Sequence, residues 1–422
     1  VRLAEGKAPG PKDDGNIIQV ISSACEDCPI SAYTVTENCQ NCLGKACIHA
    51  CKFGAIEPGR RRSHIDASKC KECGKCAEAC PYNAIAHLKR PCKFACPVDA
   101  ITTDEHGLSV IDRGKCISCG KCIHSCPFGA IGSKTFIVDV INALKAGKKV
   151  YAMAAPATEG QFGPLITMAS WKKAVLELGF EDFYDVSLGA DMTAKYEAEE
   201  WAESYKEGQK KVTSCCPAFV NMVRLHYPEL AECVSTTVSP MCAVSRLIKA
   251  KDPDAVTVFI GPCVAKKSEV VDQQIEGNAD YVLTYSEIRA IMRAKDVALQ
   301  PVEDTDQIGS IHGKRFASSG GVTAAVLQSL KESNDEIDAK VCIANGAAEC
   351  KKALLLLKVA KLPEDFIEGM ICEGGCVGGP SRFDDPVKSK KSRESLLSKA
   401  DDRGIHENLE NYDMNAFSMH RK

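Results

Sequence analysis

From Lys134 onward, short unbroken apolar runs alternate with stretches in which apolar residues return every three or four positions. The runs Val150 to Ala155, Val256 to Ile260, Tyr281 to Tyr285 and Val341 to Ala344 read as buried strands. Phe136 to Ala146, Ala190 to Tyr205 and Val322 to Glu332 read as amphipathic helices, with Asp191 a candidate N-cap and Gly208 a stop for the second. Such alternation predicts α/β sheets with helices on their faces, and ligands in the loops at strand C-terminal ends. Before Lys134 the periodicity is broken by cysteines. Four related tetrapeptides stand there: Phe53-Gly54-Ala55-Ile56, Tyr82-Asn83-Ala84-Ile85, Val98-Asp99-Ala100-Ile101 and Phe128-Gly129-Ala130-Ile131. One supersecondary unit is used four times, each leading into a short strand.

Sixteen of the 25 cysteines lie between Cys25 and Cys126. Cys70, Cys73, Cys76, Cys80-Pro81 and Cys116, Cys119, Cys122, Cys126-Pro127 have the bacterial-ferredoxin spacing C-x2-C-x2-C-x3-C-P, whose fourth cysteine ligates the other cluster of a pair. Zinc also suits four thiolates, but its motifs come as separated C-x2-C pairs. A disulfide scaffold belongs to short secreted domains, and no export signal opens this chain. Cys39, Cys42, Cys47 and Cys51 repeat the run with two extra residues before the third ligand. The crossover rule then groups Cys39, Cys42 and Cys47 with Cys80, and Cys70, Cys73 and Cys76 with Cys51. In Pro91-Cys92-Lys93-Phe94-Ala95-Cys96-Pro97 the first two cysteines of a run are missing, and Cys96 completes the set of Cys116, Cys119 and Cys122. That leaves Cys92 and Cys126 two ligands short. Cys25 and Cys28 supply them by arithmetic alone; free thiols or a separate site are the alternatives. Four [4Fe–4S] clusters in tandem ferredoxin-like modules would conduct single electrons.

Three segments of the second half carry the rest of the chemistry. They are Thr213-Ser214-Cys215-Cys216-Pro217, Gly261-Pro262-Cys263-Val264-Ala265-Lys266-Lys267-Ser268-Glu269, and Glu368-Gly369-Met370-Ile371-Cys372-Glu373-Gly374-Gly375-Cys376. The first two directly follow strand-like runs, at Lys211-Val212 and Val256 to Ile260. In order and in detail they resemble the signature loops of the [FeFe]-hydrogenases, over about Lys134 to Arg382. The resemblance implies an α/β catalytic domain of two lobes, mixed sheets flanked by helices, preceded by α+β ferredoxin-like [4Fe–4S] modules. It implies domains at 1–133, 134–384 and 385–422, the last a small-subunit-like tail, helix-prone as far as Lys399, for which a solvated segment is the rival reading.

By the same resemblance Cys216, Cys263, Cys372 and Cys376 hold a cubane. Cys376 bridges it to a di-iron subsite bearing CO, cyanide and azadithiolate: together, an H-cluster. Cys215 matches the proton donor, and a thiol is apt there because its ordinary pKa of ~8.5 lies nearer neutrality than a hydroxyl's. Outward from it, Glu200, Ser235 and Glu197 match the proton route, the two glutamates sharing a helix face. Lys266 matches the cyanide-bonding lysine, and Ala155 and Pro156 the cradle of the other cyanide. Glu269 is left without a role. Gly261, Met241 and Ala157 stand where relatives have methionine, often glutamine, and serine. The third motif continues Gly378-Gly379-Pro380-Ser381, one glycine short of the usual triplet. These departures are similar to the ferredoxin-rich branch called group B, and imply altered catalytic bias, affinity or inhibitor sensitivity.

Net charge is only −3, so no strong field points to nucleic acid or an anionic membrane, and no apolar run reaches the ~18 residues of a membrane span. The expectation is a cytoplasmic hydrogenase exchanging electrons with a ferredoxin or flavodoxin-like carrier and loaded by hydrogenase maturation proteins. No nucleotide-binding motif supports direct NAD reduction. A hydrogen sensor and a non-catalytic iron–sulfur assembly factor are the alternatives; the assembly factors lack the thiol matched by Cys215. Cys233, Cys242, Cys342 and Cys350 stand apart and read as buried structural thiols.

Overall fold

The computed structural model describes residues 16–26, 28, 33–88, 90–303, 307–335 and 337–421. Positions 1–15 of the ferredoxin-like region and Lys422 of the tail lie outside the described residues. The chain forms two compact units, one holding 113–124 and 133 onward, the other 20–112 and 125–132. The loop with Cys116, Cys119 and Cys122 therefore belongs to the unit that carries the α/β domain, and so does the tail.

The smaller unit is built from antiparallel strand pairs, Tyr33–Val35 with Ile85–His87, Ile56–Glu57 with His64–Ile65, and Ile101–Thr103 with Ser109–Ile111. The Ala-Ile repeats enter strands as expected, at Ile56, Ile85, Ile101 and Ile131. The residue before each alanine is left-handed (Gly54, Asn83, Asp99, Gly129; φ 60°, 49°, 50°, 60°). Glycine, asparagine and aspartate enter that region at least cost, which is why only they occupy the position. The turn aims the alanine amide back at the preceding cysteine: Ala55 N donates to Cys51 Sγ at 3.3 Å, Ala84 N to Cys80 Sγ at 3.4 Å, and Ala100 N to Cys96 Sγ at 3.3 Å.

The larger unit holds two parallel sheets. Four strands run in the order Asp182–Asp185, Val150–Ala154, Val256–Gly261, Tyr281–Thr284, and three in the order Lys211–Val212, Phe366–Met370, Val341–Asn345. Val150–Ala154 and Phe366–Met370 are buried along nearly their whole length, as strands covered on both faces must be. The 20-residue helix Ser187–Lys206 is buried among helices that include Pro240–Lys251 and Gly321–Glu332. Gly189 permits this contact, since a Cβ there would lie 2.2 Å from the Pro240 carbonyl oxygen. The helix begins at Ser187, so Asp191 is not its cap. Asp191 is instead a wholly buried carboxylate accepting from Ser310 N (2.8 Å), Ser310 Oγ (2.6 Å) and Asn408 Nδ2 (2.8 Å). Gly208 follows the helix end in a left-handed conformation, as expected.

The tail is structured and packed. Asp385 caps the helix Pro386–Leu397, accepting from Val387 N at 2.9 Å. Val238 N donates to Met419 O (2.8 Å) and Arg421 N to Thr236 O (2.7 Å), seating the tail beside residues 236–238. The solvated-segment reading fails because this backbone has partners inside the α/β unit. Among the described residues no helix is long and apolar enough to cross a membrane.

Candidate active site

Both sheets end at one place. The loops after Val212, Gly261 and Met370 deliver Cys215 and Cys216, Cys263, and Cys372 and Cys376, while Val150–Ala154 delivers Ala155 and Pro156. Cys216 precedes the helix Pro217–His226, whose first-turn proline has no N–H to leave unpaired. Phe219 N and Val220 N both bond the Cys216 carbonyl at 3.0 Å.

The four candidate ligands form one partly buried group. Burial pushes the Cys263 thiol up to about 11, with Cys216 adding to it, and the Cys376 thiol to about 12, with Cys263 and Cys216 adding. Cys372 is raised well above the usual range by burial and then by Cys263, Cys216 and Cys376; burial also raises Cys216. Four thiols that repel one another on ionising fit a cationic iron–sulfur core, which would offset part of their combined negative charge. Beside Cys376 lies a cavity of about 60 Å³ bounded by Ala155, Pro156, Cys215, Lys266 and, on its apolar side, Met241 and Phe259.

Lys266 reaches this cavity. Burial opposes its charge, but Glu269 and the thiols of Cys263 and Cys215 outweigh it and raise the ammonium above its ordinary value. Its Nζ donates to Glu269 Oε2 at 2.6 Å and to the Cys215 carbonyl at 3.4 Å. Glu269, which the sequence left unassigned, is buried, accepts from Ser239 Oγ at 2.5 Å, and holds the lysine in place. The space beside Gly261 is taken: a Cβ there would meet the Phe259 ring and the Ala155 methyl, each at 3.0 Å.

Cys215 is buried, its thiol raised well above normal by burial and next by Glu197. Glu197 is completely buried, and its carboxylate oxygens have no side-chain hydrogen-bond partner, the Ser214 amide being the backbone group that favours its charge. Burial, followed by Glu200 and Glu368, pushes its carboxyl up to about 8, against an opposing pull from Arg421. Ser235 Oγ donates to Glu200 Oε2 at 2.7 Å, Thr236 N to Glu200 Oε1 at 3.1 Å, and Lys211 pairs with Glu200 at 3.3 Å near the surface. The order expected from sequence is thus reversed. Glu197 is the inner carboxyl beside Cys215, and Ser235 and Glu200 lie outside it. The helix explains the reversal, because its buried first turns enter the core and it emerges toward its C-terminal end.

In the smaller unit Cys51, Cys70, Cys73 and Cys76 line one cavity, the grouping the crossover rule expects. Thr36 N and Oγ1 both donate to Ala84 O, at 2.8 and 3.1 Å, bringing the Cys39 loop to the turn of Cys80. Cys25, Cys28, Cys92 and Cys126 also come together. Burial raises Cys28, Arg90 opposes, and Cys92, Cys25 and Cys126 add. Ser109 joins the set through its amide to Cys25 Sγ (3.4 Å) and its hydroxyl to Cys92 Sγ (3.6 Å), while Arg90 Nη1 reaches Ser109 Oγ at 3.1 Å. Neither Arg90 nor Ser109 carries a sequence signal. Cys116, Cys119 and Cys122 sit in the larger unit, where Cys119 interacts with Cys372, whereas Cys96 sits in the smaller. Of the isolated cysteines, Cys242 and Cys350 are buried as expected, but Cys233 and Cys342 are only partly so.

The model for the iron only hydrogenase large subunit, C-terminal domain, matches residues 148–380. The chain belongs to the iron-only hydrogenase family. A 4Fe–4S binding domain matches 63–86, and an LdpA Fe–S cluster-binding domain matches 86–137. Iron hydrogenase 1 of Clostridium pasteurianum is 30% identical, covering 82% of this chain and 70% of that protein. The periplasmic [Fe] hydrogenase large subunit of Nitratidesulfovibrio vulgaris is 31% identical over 75% of this chain and 85% of its own. The apo [FeFe]-hydrogenase HydA1 from Chlamydomonas reinhardtii superposes with a TM-score of 0.53 at 21% identity, over 65% of this chain and 92% of that one, a likeness of fold. As an iron-only hydrogenase with ferredoxin-like iron–sulfur regions, the chain has thiols that fit the family's cofactor classes, [4Fe–4S] clusters and an H-cluster.

Proposed function

We propose that this chain interconverts two protons and two electrons with molecular hydrogen, as a ferredoxin-type [FeFe]-hydrogenase. The observation that carries the reading is the meeting of Cys263 and Cys376 with Cys215 and Lys266 around one small cavity, with Cys216 and Cys372 grouped beside them. Cys216, Cys263, Cys372 and Cys376 would hold the H-cluster, with Cys376 the bridge; when bound, the group supplies an open iron at which protons and electrons combine. Cys215 holds the proton next to that position, and Glu197, Ser235 and Glu200 carry it between thiol and surface, in that order. Lys266, fixed by Glu269, would donate to one cyanide, and the Ala155-Pro156 turn would cradle the other. Apolar walls from Met241, Phe259 and Ala157 exclude water from the cavity.

The region 1–133 would hold four [4Fe–4S] clusters in the groupings given above, whose chemistry is one-electron transfer. Residues 134–384 form the catalytic domain and 385–422 the tail. A ferredoxin or flavodoxin-like carrier in the cytoplasm is the redox partner, and maturation proteins install the di-iron unit. Infrared spectroscopy of anaerobically purified, matured protein tests the reading: bands of iron-bound CO and cyanide are expected, and cubanes alone would refute it. Hydrogen sensing is the second reading, favoured by Met241 and Ala157, which stand where the resemblance places glutamine (often) and serine. Turnover separates the two, since a sensor would show CO and cyanide bands with very little gas evolution.

A further inference from the structure

We infer that Arg421, in the tail, is a positioning residue of the proton route; the inference rests on the function proposed above. The tail brings it there by backbone pairing. Arg421 N bonds Thr236 O, Val238 N bonds Met419 O, and Arg246 Nη1 donates to the Ser418 and His420 carbonyls, the latter at 3.0 Å. The paired stretch, residues 236–238, directly follows Ser235 of the route, and Thr236 N also binds Glu200.

The guanidinium lies on the inner half of the route. Its Nη2 donates to the Ser214 carbonyl at 2.9 Å, one residue before the proton-donor thiol. Its Nε is buried with no partner, and the buried oxygens of Glu197, the carboxyl whose charge Arg421 favours, have no side-chain partner. The two groups meet at Ser214, whose carbonyl accepts from the guanidinium and whose amide is the backbone partner of the Glu197 carboxyl, and buried polar atoms left short of partners are satisfied by ordered water. A water between Arg421 Nε and Glu197 fits that chemistry and would fix the carboxyl between the thiol and Ser235. The other charged or titratable groups around the guanidinium are Glu269, Arg224, Cys242 and Asp272; those around Glu197 are Glu200 and Glu368. Glu269 also holds Lys266, so one cation faces both the cyanide-binding lysine's partner and the proton route. None of the three signature loops includes Arg421.

The test uses matured full-length protein carrying Arg421→Met, Arg421→Gln or Arg421→Lys beside the wild type. CO and cyanide bands are expected unchanged in all four. Arg421→Met and Arg421→Gln should lower kcat for viologen-driven proton reduction on the order of tenfold with KM for the viologen unchanged. They should also move the alkaline limb of the pH profile upward, because Glu197 keeps its proton to higher pH once the cation is gone. The carboxyl C=O stretch of Glu197, assigned by its loss in Glu197→Gln, should shift in both, and Arg421→Lys should restore limb and band. If Arg421→Met fails to fold, Arg421→Gln, which retains a donor for Ser214 O, decides alone. An unmoved limb and carboxyl band overturn the inference while leaving the proposed function intact. Absence of CO and cyanide bands from the wild type overturns both.

Discussion

The buried ionisable side chains around Cys215 show how much of this site depends on single groups. Cys215 bounds the cavity, and its thiol stands beside the buried carboxyl of Glu197. Cys215→Ala is expected to cut hydrogen evolution by at least ~100-fold, the usual worth of a positioned acid, with CO and cyanide bands intact in the infrared. Glu197 makes a second prediction through stability. Its carboxyl titrates near 4.5 in the unfolded chain and about 8 in the folded one. Between those values the unfolded chain gives up a proton that the folded protein keeps, so stability falls as pH rises and levels off above the folded value. Glu197→Gln removes that loss. Anaerobic calorimetry should find the variant gaining on the wild type by about 3–4 kcal/mol between pH 5 and pH 8. Which of the two glutamates lies nearer Cys215 was not legible in sequence. Glu197 and Glu200 share a helix face, and which lies deeper depends on how far the helix enters the core.

At the level of the element, strands and helices of the α/β unit were readable because continuous apolar runs and three-to-four periodicity are local signals. Asp191 misled because an aspartate near a helix start is ordinarily a cap, whereas its partners here, Ser310 and Asn408, lie over a hundred residues away. Gly189 was equally silent, since the contact that requires it comes from the helix Pro240–Lys251. Gly189→Ala should force the two helices apart and cost about 1–3 kcal/mol, read as a lowered Tm of cluster-loaded protein. The cysteine turns were the most legible part of the chain. Metal spacing, the left-handed residue and the Ala-Ile step are all written within a dozen residues. The fourth grouping required tertiary knowledge, as Cys25 and Cys28 meet Cys92 and Cys126 through Arg90 and Ser109. Cys92→Ala should remove one cubane's worth of iron by chemical analysis and leave the signals of the other clusters. Loss of all clusters, or of none, would refute the grouping.

Across the whole molecule, the family match and the two-sheet scaffold agree on where chemistry is placed: at the C-terminal ends of parallel strands, with the tail folded onto the same unit. Removing the tail from Pro386 onward would expose the helix Ser187–Lys206 and strip Asn408 from Asp191. Such a truncation is expected to lower Tm sharply and to take up less di-iron unit, measured by the intensity of the CO bands.

Phe259 ties its own position to that of Gly261. Its ring occupies the ground beside that glycine. Placing a methionine at 261 alone would drive a long side chain into an aromatic one, and trimming the ring alone would leave a hole in the wall. Neither single change keeps the packing, so the two positions are coupled, and a long side chain at 261 is expected to fit only with a smaller residue at 259.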